Sequence, residues 1–176
     1  MMQKFIFPAV ILSSLALVLL TGLIIKPIPV NASSLKISDC ALSPDYSPEL
    51  LQWCALIEQH AAKLGLEPAL LAALIWEESG GDPNAISHQG AVGLMQVMPN
   101  DGLAASFQCV NGPCFAERPS TQQLLDPDFN LAYGSQLLAS LIRRNNDLRD
   151  ALKAYGPSGV GYRYADAVLY ILASHR

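Results

Sequence analysis

Pro68 to Pro99, PALLAALIWEESGGDPNAISHQGAVGLMQVMP, is the stretch around which the rest of the chain organises. No charge occurs from Pro68 to Trp76, and the run ends in Glu77, Glu78, Ser79, Gly80 and Gly81. A helix apolar on every side must be wrapped by the remaining domain, because a surface helix shows one polar face. Pro68 suits the first helical position, where its missing N–H has no partner to lose, and the glycine pair supplies the stop. A carboxylate therefore stands at the end of a buried helix. Burial disfavours the charged form of Glu78, and the negative end of the helix dipole disfavours it again. Both effects favour a carboxyl that keeps its proton near neutral pH, the state needed by a general acid in glycosidic cleavage. The plainer reading of Glu77 and Glu78 is a solvated helix end.

The residues downstream of the acid pair bear on that choice. Glu78-Ser79, then Pro83, Ala85 and Ser87, then Gly90 to Pro99 (GAVGLMQVMP) resemble the catalytic signature of the soluble lytic transglycosylases, relatives of goose-type lysozyme. Asn130 with Tyr133-Gly134 resembles the helix after the cleft in that family. Ala154-Tyr155-Gly156 resembles its Ala-Tyr-Asn-Ala-Gly segment, with Gly156 standing where the family usually has Asn. The likeness runs from roughly Leu51 to Leu169.

The resemblance implies a lysozyme-like helical domain acting on peptidoglycan glycan strands as a monomer, without metal or cofactor. It implies one acid, Glu78, which protonates the oxygen linking N-acetylmuramic acid to N-acetylglucosamine. As carboxylate, Glu78 then takes the proton of the muramic acid 6-hydroxyl while that oxygen closes on the anomeric carbon, leaving a 1,6-anhydro end. Ser87, Gln96, Asn130 and Tyr155 would surround the sugar or the acid, their hydroxyls and amides suiting sugar hydroxyls and N-acetyl groups. Met95 would give an adaptable apolar wall. Choosing Glu78 over Glu77 rests on the likeness, in which the acid directly precedes Ser; adjacent helical positions diverge by about 100 degrees, and uniform apolarity marks neither side as inward.

Other readings stay open at this level. Asn130 can instead satisfy backbone near a helix start, Trp76 reads as core before sugar platform, and His88 as a solvated turn residue. A lysozyme-type hydrolase would use Asp82 or Asp101 to guide water, and a non-catalytic glycan-binding protein could keep the same fold.

With 176 residues, 51% of them apolar, the chain is unusually hydrophobic for one soluble domain, and much of the excess lies at the N-terminus. Phe5 to Ile25 has no charge and is flanked by Lys4 and Lys26. As a helix it would reach about 31 Å, enough to cross a bilayer core, which favours an uncleaved anchor. Val30-Asn31-Ala32 offers small residues where a signal peptidase cuts, so a cleaved export signal is the competing reading of 1–32. Either places the remaining residues outside the cytoplasm, with the membrane a partner only if the helix is kept. Without 1–32, 9 basic residues face 15 acidic ones, a net charge of −6. Such a domain lacks the Lys and Arg clusters that nucleic acid requires.

Cys40, Cys54, Cys109 and Cys114 are even in number and lie in the exported part, which points to disulfides. Three connectivities are possible; pairing nearest neighbours joins Cys40 to Cys54 and Cys109 to Cys114. Zinc is disfavoured because the spacings lack the paired two-residue gaps of common structural sites.

Residues 33–47 read as a linker and 48–176 as the domain. Ser47 caps a helix carrying Leu50, Cys54, Ile57, Ala61 and Leu64 on one face as far as Gly65. A short helix is expected over Leu94 to Met98, then an irregular or disulfide-pinned excursion from Asn100 to Pro119. Ser120 caps a helical turn to Leu125, and Asp126 opens a helix to about Asn145, its stripe being Phe129, Ala132, Tyr133, Leu137, Leu141 and Ile142. Two further helices are expected at Leu148 to Ala154 and Tyr162 to Ser174, the last presenting Tyr164, Val168, Leu169 and Ile171. The class is all-α, with a flap of two or three short strands after the central helix left open.

Overall fold

The computed structural model describes residues 40–145 and 147–176. The apolar segment 5–25, with its anchor or export reading, and residues 33–39 of the expected linker lie outside them. Among the described residues no helix is long and apolar enough to cross a membrane.

At the centre is α3 (Pro68–Ser79), in which Leu70, Leu71, Ala72, Ala73, Leu74 and Ile75 are all buried. Pro68 occupies its first turn, and Gly80 ends it in the left-handed conformation, its N–H returning to Ile75 O. Leu71, Leu74 and Ile75 are wholly enclosed, worth roughly 1.5–3 kcal/mol each relative to exposure. The wrapping consists of α1 (Pro48–Leu51), α2 (Cys54–Leu64) and α7 (Arg163–Ser174), each packed on α3. A second tier, α4 (Thr121–Leu124), α5 (Pro127–Arg144) and α6 (Leu148–Tyr155), is joined to the first through α2 and α7.

Leu50, Cys54, Ile57 and Ala61 are buried on one side, as their spacing requires. The helix expected from Pro48 to Leu64 is nevertheless broken at Gln52-Trp53. Trp53 turns to donate its Nε1–H to Gly81 O at 2.8 Å, and Cys54 is tied to Cys40 by a disulfide. These two tethers redirect the chain. The end of the expected linker is part of the core: Leu42 and Tyr46 are buried, and Tyr46 stacks on His175 at 4.2 Å and packs on Trp76 at 5.6 Å. Trp76, half-buried, thus packs against the core.

After α3 three short segments meet through antiparallel bridges, Ile86 with Val92 and Val92 with Val97. The helix expected over Leu94–Met98 is instead the turn between the last two segments, closed by Gln96 N–H to Gly93 O at 3.1 Å. Gly93 and Gln96 both have positive φ, +79° and +44°, which a helix excludes. The excursion from Asn100 to Pro119 has its ends joined, Asn100 N–H donating to Pro119 O at 3.0 Å. It holds a 3-10 turn (Gly102–Ser106) and a hairpin of β1 (Gln108–Cys109) and β2 (Gly112–Pro113), closed by a second disulfide between Cys109 and Cys114.

Two caps stand where the sequence puts them: Ser120 forms a capping box with Gln123, and Asp126 caps α5; Asp147, not singled out from sequence, caps α6. Asp128 pairs with buried His60 at 2.7 Å and ties α5 to α2. The buried side of α5 comprises Asn130, Leu131, Gly134, Ser135, Leu138 and Ala139, which is not the expected stripe. Phe129 is 36% exposed. Two polar residues and a glycine lie on the inward side, so hydrophobic spacing alone points to the wrong one.

Candidate active site

The C-terminal turn of α3 delivers Glu78 into a cleft of about 410 Å³. Opposite it stand Phe107, Phe115 and Arg118 from the 100–119 excursion and Tyr155 to Ser158 from the end of α6. Glu78 is the only carboxylate among the described residues lining the cleft. Glu77, one position back, is exposed. Burial pushes the Glu78 carboxyl up to about 7, and the charge of Glu77 adds to the rise. A hydrogen bond from the Tyr164 hydroxyl to Oε1 opposes it by favouring the carboxylate. Tyr164 itself, buried and beside Glu78, is held far above the ordinary tyrosine range. It therefore remains a donor at every accessible pH.

The signature residues mainly hold the backbone that faces this acid. Ser79 Oγ donates to Leu94 O at 2.8 Å, and Tyr155 OH donates to Met95 O at 2.8 Å. Asn130 accepts from Met95 N–H at 2.9 Å and donates to Val92 O at 2.9 Å and Leu124 O at 2.8 Å. Gly93 leaves no room for a side chain: a Cβ there would fall 2.2 Å from Asn130 Nδ2. The 92–96 turn is thus clamped between the ends of α3 and α6 and the body of α5.

Of the residues expected around a sugar, Ser87, Gln96 and Tyr155 line the cleft. Ser87 Oγ accepts from Ala91 N–H at 2.9 Å. Gln96 Nε2 donates to Ala85 O and Gly93 O, both at 3.0 Å, and neither bond occupies its amide oxygen. Asn130 and Met95 are corrections. Asn130 is fully buried and spends its amide on three backbone partners. Met95 is fully buried against α5, where a Cβ on Gly134 would lie 2.6 Å from its Sδ, so it packs the core and walls no cleft.

Asp82 and Asp101, the acids considered for guiding water, do not line the cleft. Asp82 accepts from Asn84 N–H at 2.9 Å, while Asp101 accepts from Thr121 N–H at 3.0 Å and from its hydroxyl. His88 is exposed. All four cysteines are paired, so no thiolate is left for a metal. Sequence patterning does not single out Tyr164, Arg118, Phe107 or Phe115 as site residues. Tyr164 carries one signal: it shares a helical face with Val168 and Leu172, and a buried Tyr hydroxyl needs a partner.

The family model for the transglycosylase SLT domain matches residues 55–161. The chain is 33% identical over 104 residues to the endo-type membrane-bound lytic murein transglycosylase A of Klebsiella pneumoniae, covering 56% of this chain and 50% of the relative. With the protein of the same name from Cronobacter sakazakii it shares 30% identity over 115 residues, 60% of this chain and 55% of the relative. The chain thus spans about half the length of these relatives. A solved structure of an inactive mutant of lytic transglycosylase Slt from Pseudomonas aeruginosa aligns with TM-score 0.46 and 26% identity, over 67% of this chain and 20% of that one. Since the matched region takes in more than half of the chain and encloses both the acid and the clamped turn, the chain belongs to the transglycosylase SLT domain family.

Proposed function

We propose that this chain is a peptidoglycan lytic transglycosylase that cleaves the β-1,4 bond between N-acetylmuramic acid and N-acetylglucosamine and leaves a 1,6-anhydro-muramic acid end. The observation that carries the reading is a half-buried Glu78, titrating near neutrality, as the sole acid among the described lining residues of its cleft. Hydrolysis by the usual routes requires two carboxylates, one of them to activate water or attack carbon. A single carboxyl suffices when the nucleophile is the substrate's own hydroxyl. The 6-hydroxyl is already tethered to the reacting ring, which removes the entropy cost of capturing water.

In this reading protonated Glu78 gives its proton to the leaving oxygen as the glycosidic bond breaks. The resulting carboxylate is stabilised by the Tyr164 hydroxyl, which already points at Oε1. It then removes the proton from the 6-hydroxyl as that oxygen bonds to the anomeric carbon, and Glu78 is again protonated. Ser87, the Gln96 amide oxygen and the face of Tyr155 orient the sugar. The relatives are named membrane-bound murein enzymes, which supports work in the cell envelope. An export signal or anchor at 1–32 fits that location.

Mass spectrometry of the muropeptides released from sacculi tests the reaction: anhydro ends are expected, and reducing ends would assign hydrolysis.

A further inference from the structure

Arg118 is the only cation among the described residues lining the Glu78 cleft. Its backbone N–H closes a turn onto Phe115 O at 2.9 Å, and its guanidinium carbon lies 5.8 Å from the ring centres of both Phe115 and Tyr133. Attraction to the two ring faces holds the group in position without using any of its five N–H donors. Among the described residues it makes no ion pair and no side-chain hydrogen bond. Arg149 and Arg176 differ, pairing with Asp166 at 2.6 Å and Glu67 at 2.8 Å. Nor is the gap explained by a shortage of acids, since the chain carries 15 acidic residues against 11 basic ones. Arg118 is half-buried as a residue, and its guanidinium has no anionic partner among the described residues. Arg118, Glu78 and Tyr155 line the same cleft.

We propose that Arg118 recognises a carboxylate carried by the glycan, on the lactyl group of N-acetylmuramic acid or on the peptide attached to it, and so selects strands containing muramic acid over neutral N-acetylglucosamine polymers. The fork geometry of a guanidinium matches a carboxylate with two parallel hydrogen bonds, and the aromatic slot fixes the fork before the ligand arrives. This inference rests on the reading that a glycan strand occupies the cleft, while being independent of whether Glu78 completes the reaction.

Binding separates the two. The full chain carrying Glu78→Gln is titrated calorimetrically with three probes: the neutral N-acetylglucosamine tetramer, the alternating N-acetylglucosamine and N-acetylmuramic acid tetrasaccharide with free lactyl carboxylates, and the same tetrasaccharide bearing peptide stems. At least one anionic probe is expected to bind about tenfold more tightly than the neutral one, as a charge-assisted bidentate pair would give. Adding Arg118→Gln should weaken the anionic probes far more than the neutral one and so abolish that preference; Arg118→Lys should keep part of it. A preference confined to the stem-bearing probe assigns the peptide carboxylate, and one present with free lactyl groups assigns the lactyl carboxylate. An undiminished preference in Arg118→Gln, an equal weakening for neutral and anionic probes, or no binding of any probe overturns the proposal. Parent protein that fails to lyse sacculi alongside an Arg118-dependent preference would remove the proposed reaction and leave the carboxylate site standing.

Discussion

Gly156 lies so close beneath the ring of Tyr164 that a Cβ on it would fall 2.3 Å from Cδ1. Its φ of −69° suits any residue, so it is space and not backbone conformation that keeps this position glycine. Tyr164 in turn donates to Glu78. The departure from the family's Asn is thereby joined to the acid: with Tyr164 placed as it is, Asn does not fit.

Gly156→Ala should displace the Tyr164 ring, cost about 1–3 kcal/mol of stability and lower activity. Tyr164→Phe should remove the hydrogen bond with little loss of packing. That bond favours the carboxylate, so without it Glu78 titrates above about 7 and the alkaline limb of the kcat/KM profile moves to higher pH in both variants. Unmoved limbs would dissociate Tyr164 from the titration of Glu78.

Glu78 should also make folding depend on pH. Its pKa is about 7 in the folded protein against an ordinary 4.5, so the folded state keeps a proton that the unfolded chain releases. The stability linked to that proton is complete below about pH 4.5 and falls as pH rises through about 7, by at most about 3 kcal/mol. Urea unfolding of the parent and of Glu78→Gln at pH 4.5 and pH 8 measures this. The variant should gain on the parent at the higher pH, whereas parallel curves would contradict the elevated pKa.

Much of this arrangement was legible in the sequence. The uncharged run closed by Glu78 and two glycines specifies a wrapped helix, and the caps at Ser47, Ser120 and Asp126 act where they read. The errors share a cause. Asn130, Ser135 and Gly134 are buried because their hydrogen bonds or small size allow it, so a search for apolar periodicity places the inner side of α5 incorrectly. Leu94 to Met98 looks helical by composition, yet clamping of its backbone by Ser79, Asn130 and Tyr155 forces a turn. Arg118, Phe107 and Phe115 come to the cleft through the folding of an irregular excursion, for which local sequence has no period to read.

Asn130→Ala should act on stability. It leaves Met95 N–H and Leu124 O without partners in the interior, while Val92 O keeps the Val97 N–H at 3.1 Å, a loss of about 2–5 kcal/mol. Denaturant unfolding reads the loss, and the affinity of the folded fraction for a neutral glycan should be unchanged. A specific drop in that affinity with normal stability would restore Asn130 as a substrate contact.

The two disulfides should separate in effect. Cys40 and Cys54 are 14 residues apart and join the core to the segment bearing Leu42 and Tyr46, so replacing both with Ser should cost about 3 kcal/mol. Cys109 and Cys114 close a loop of separation 5 between Phe107 and Phe115, whose rings meet at 5.9 Å. Replacing that pair should raise KM on peptidoglycan with a smaller loss of stability. Kinetics and thermal unfolding of the two double variants test the division, and an unaltered KM for the second would mean that the hairpin does not shape the cleft.

The central claim is that one carboxyl, at position 78, serves as both acid and base, and it is tested most directly by the rate of sacculus lysis in Glu78→Gln compared with Glu77→Gln. Loss on the order of a thousandfold is expected for Glu78→Gln, with near-parental rates for the exposed neighbour. Parental rates in Glu78→Gln, or a loss just as deep in Glu77→Gln, would contradict the account.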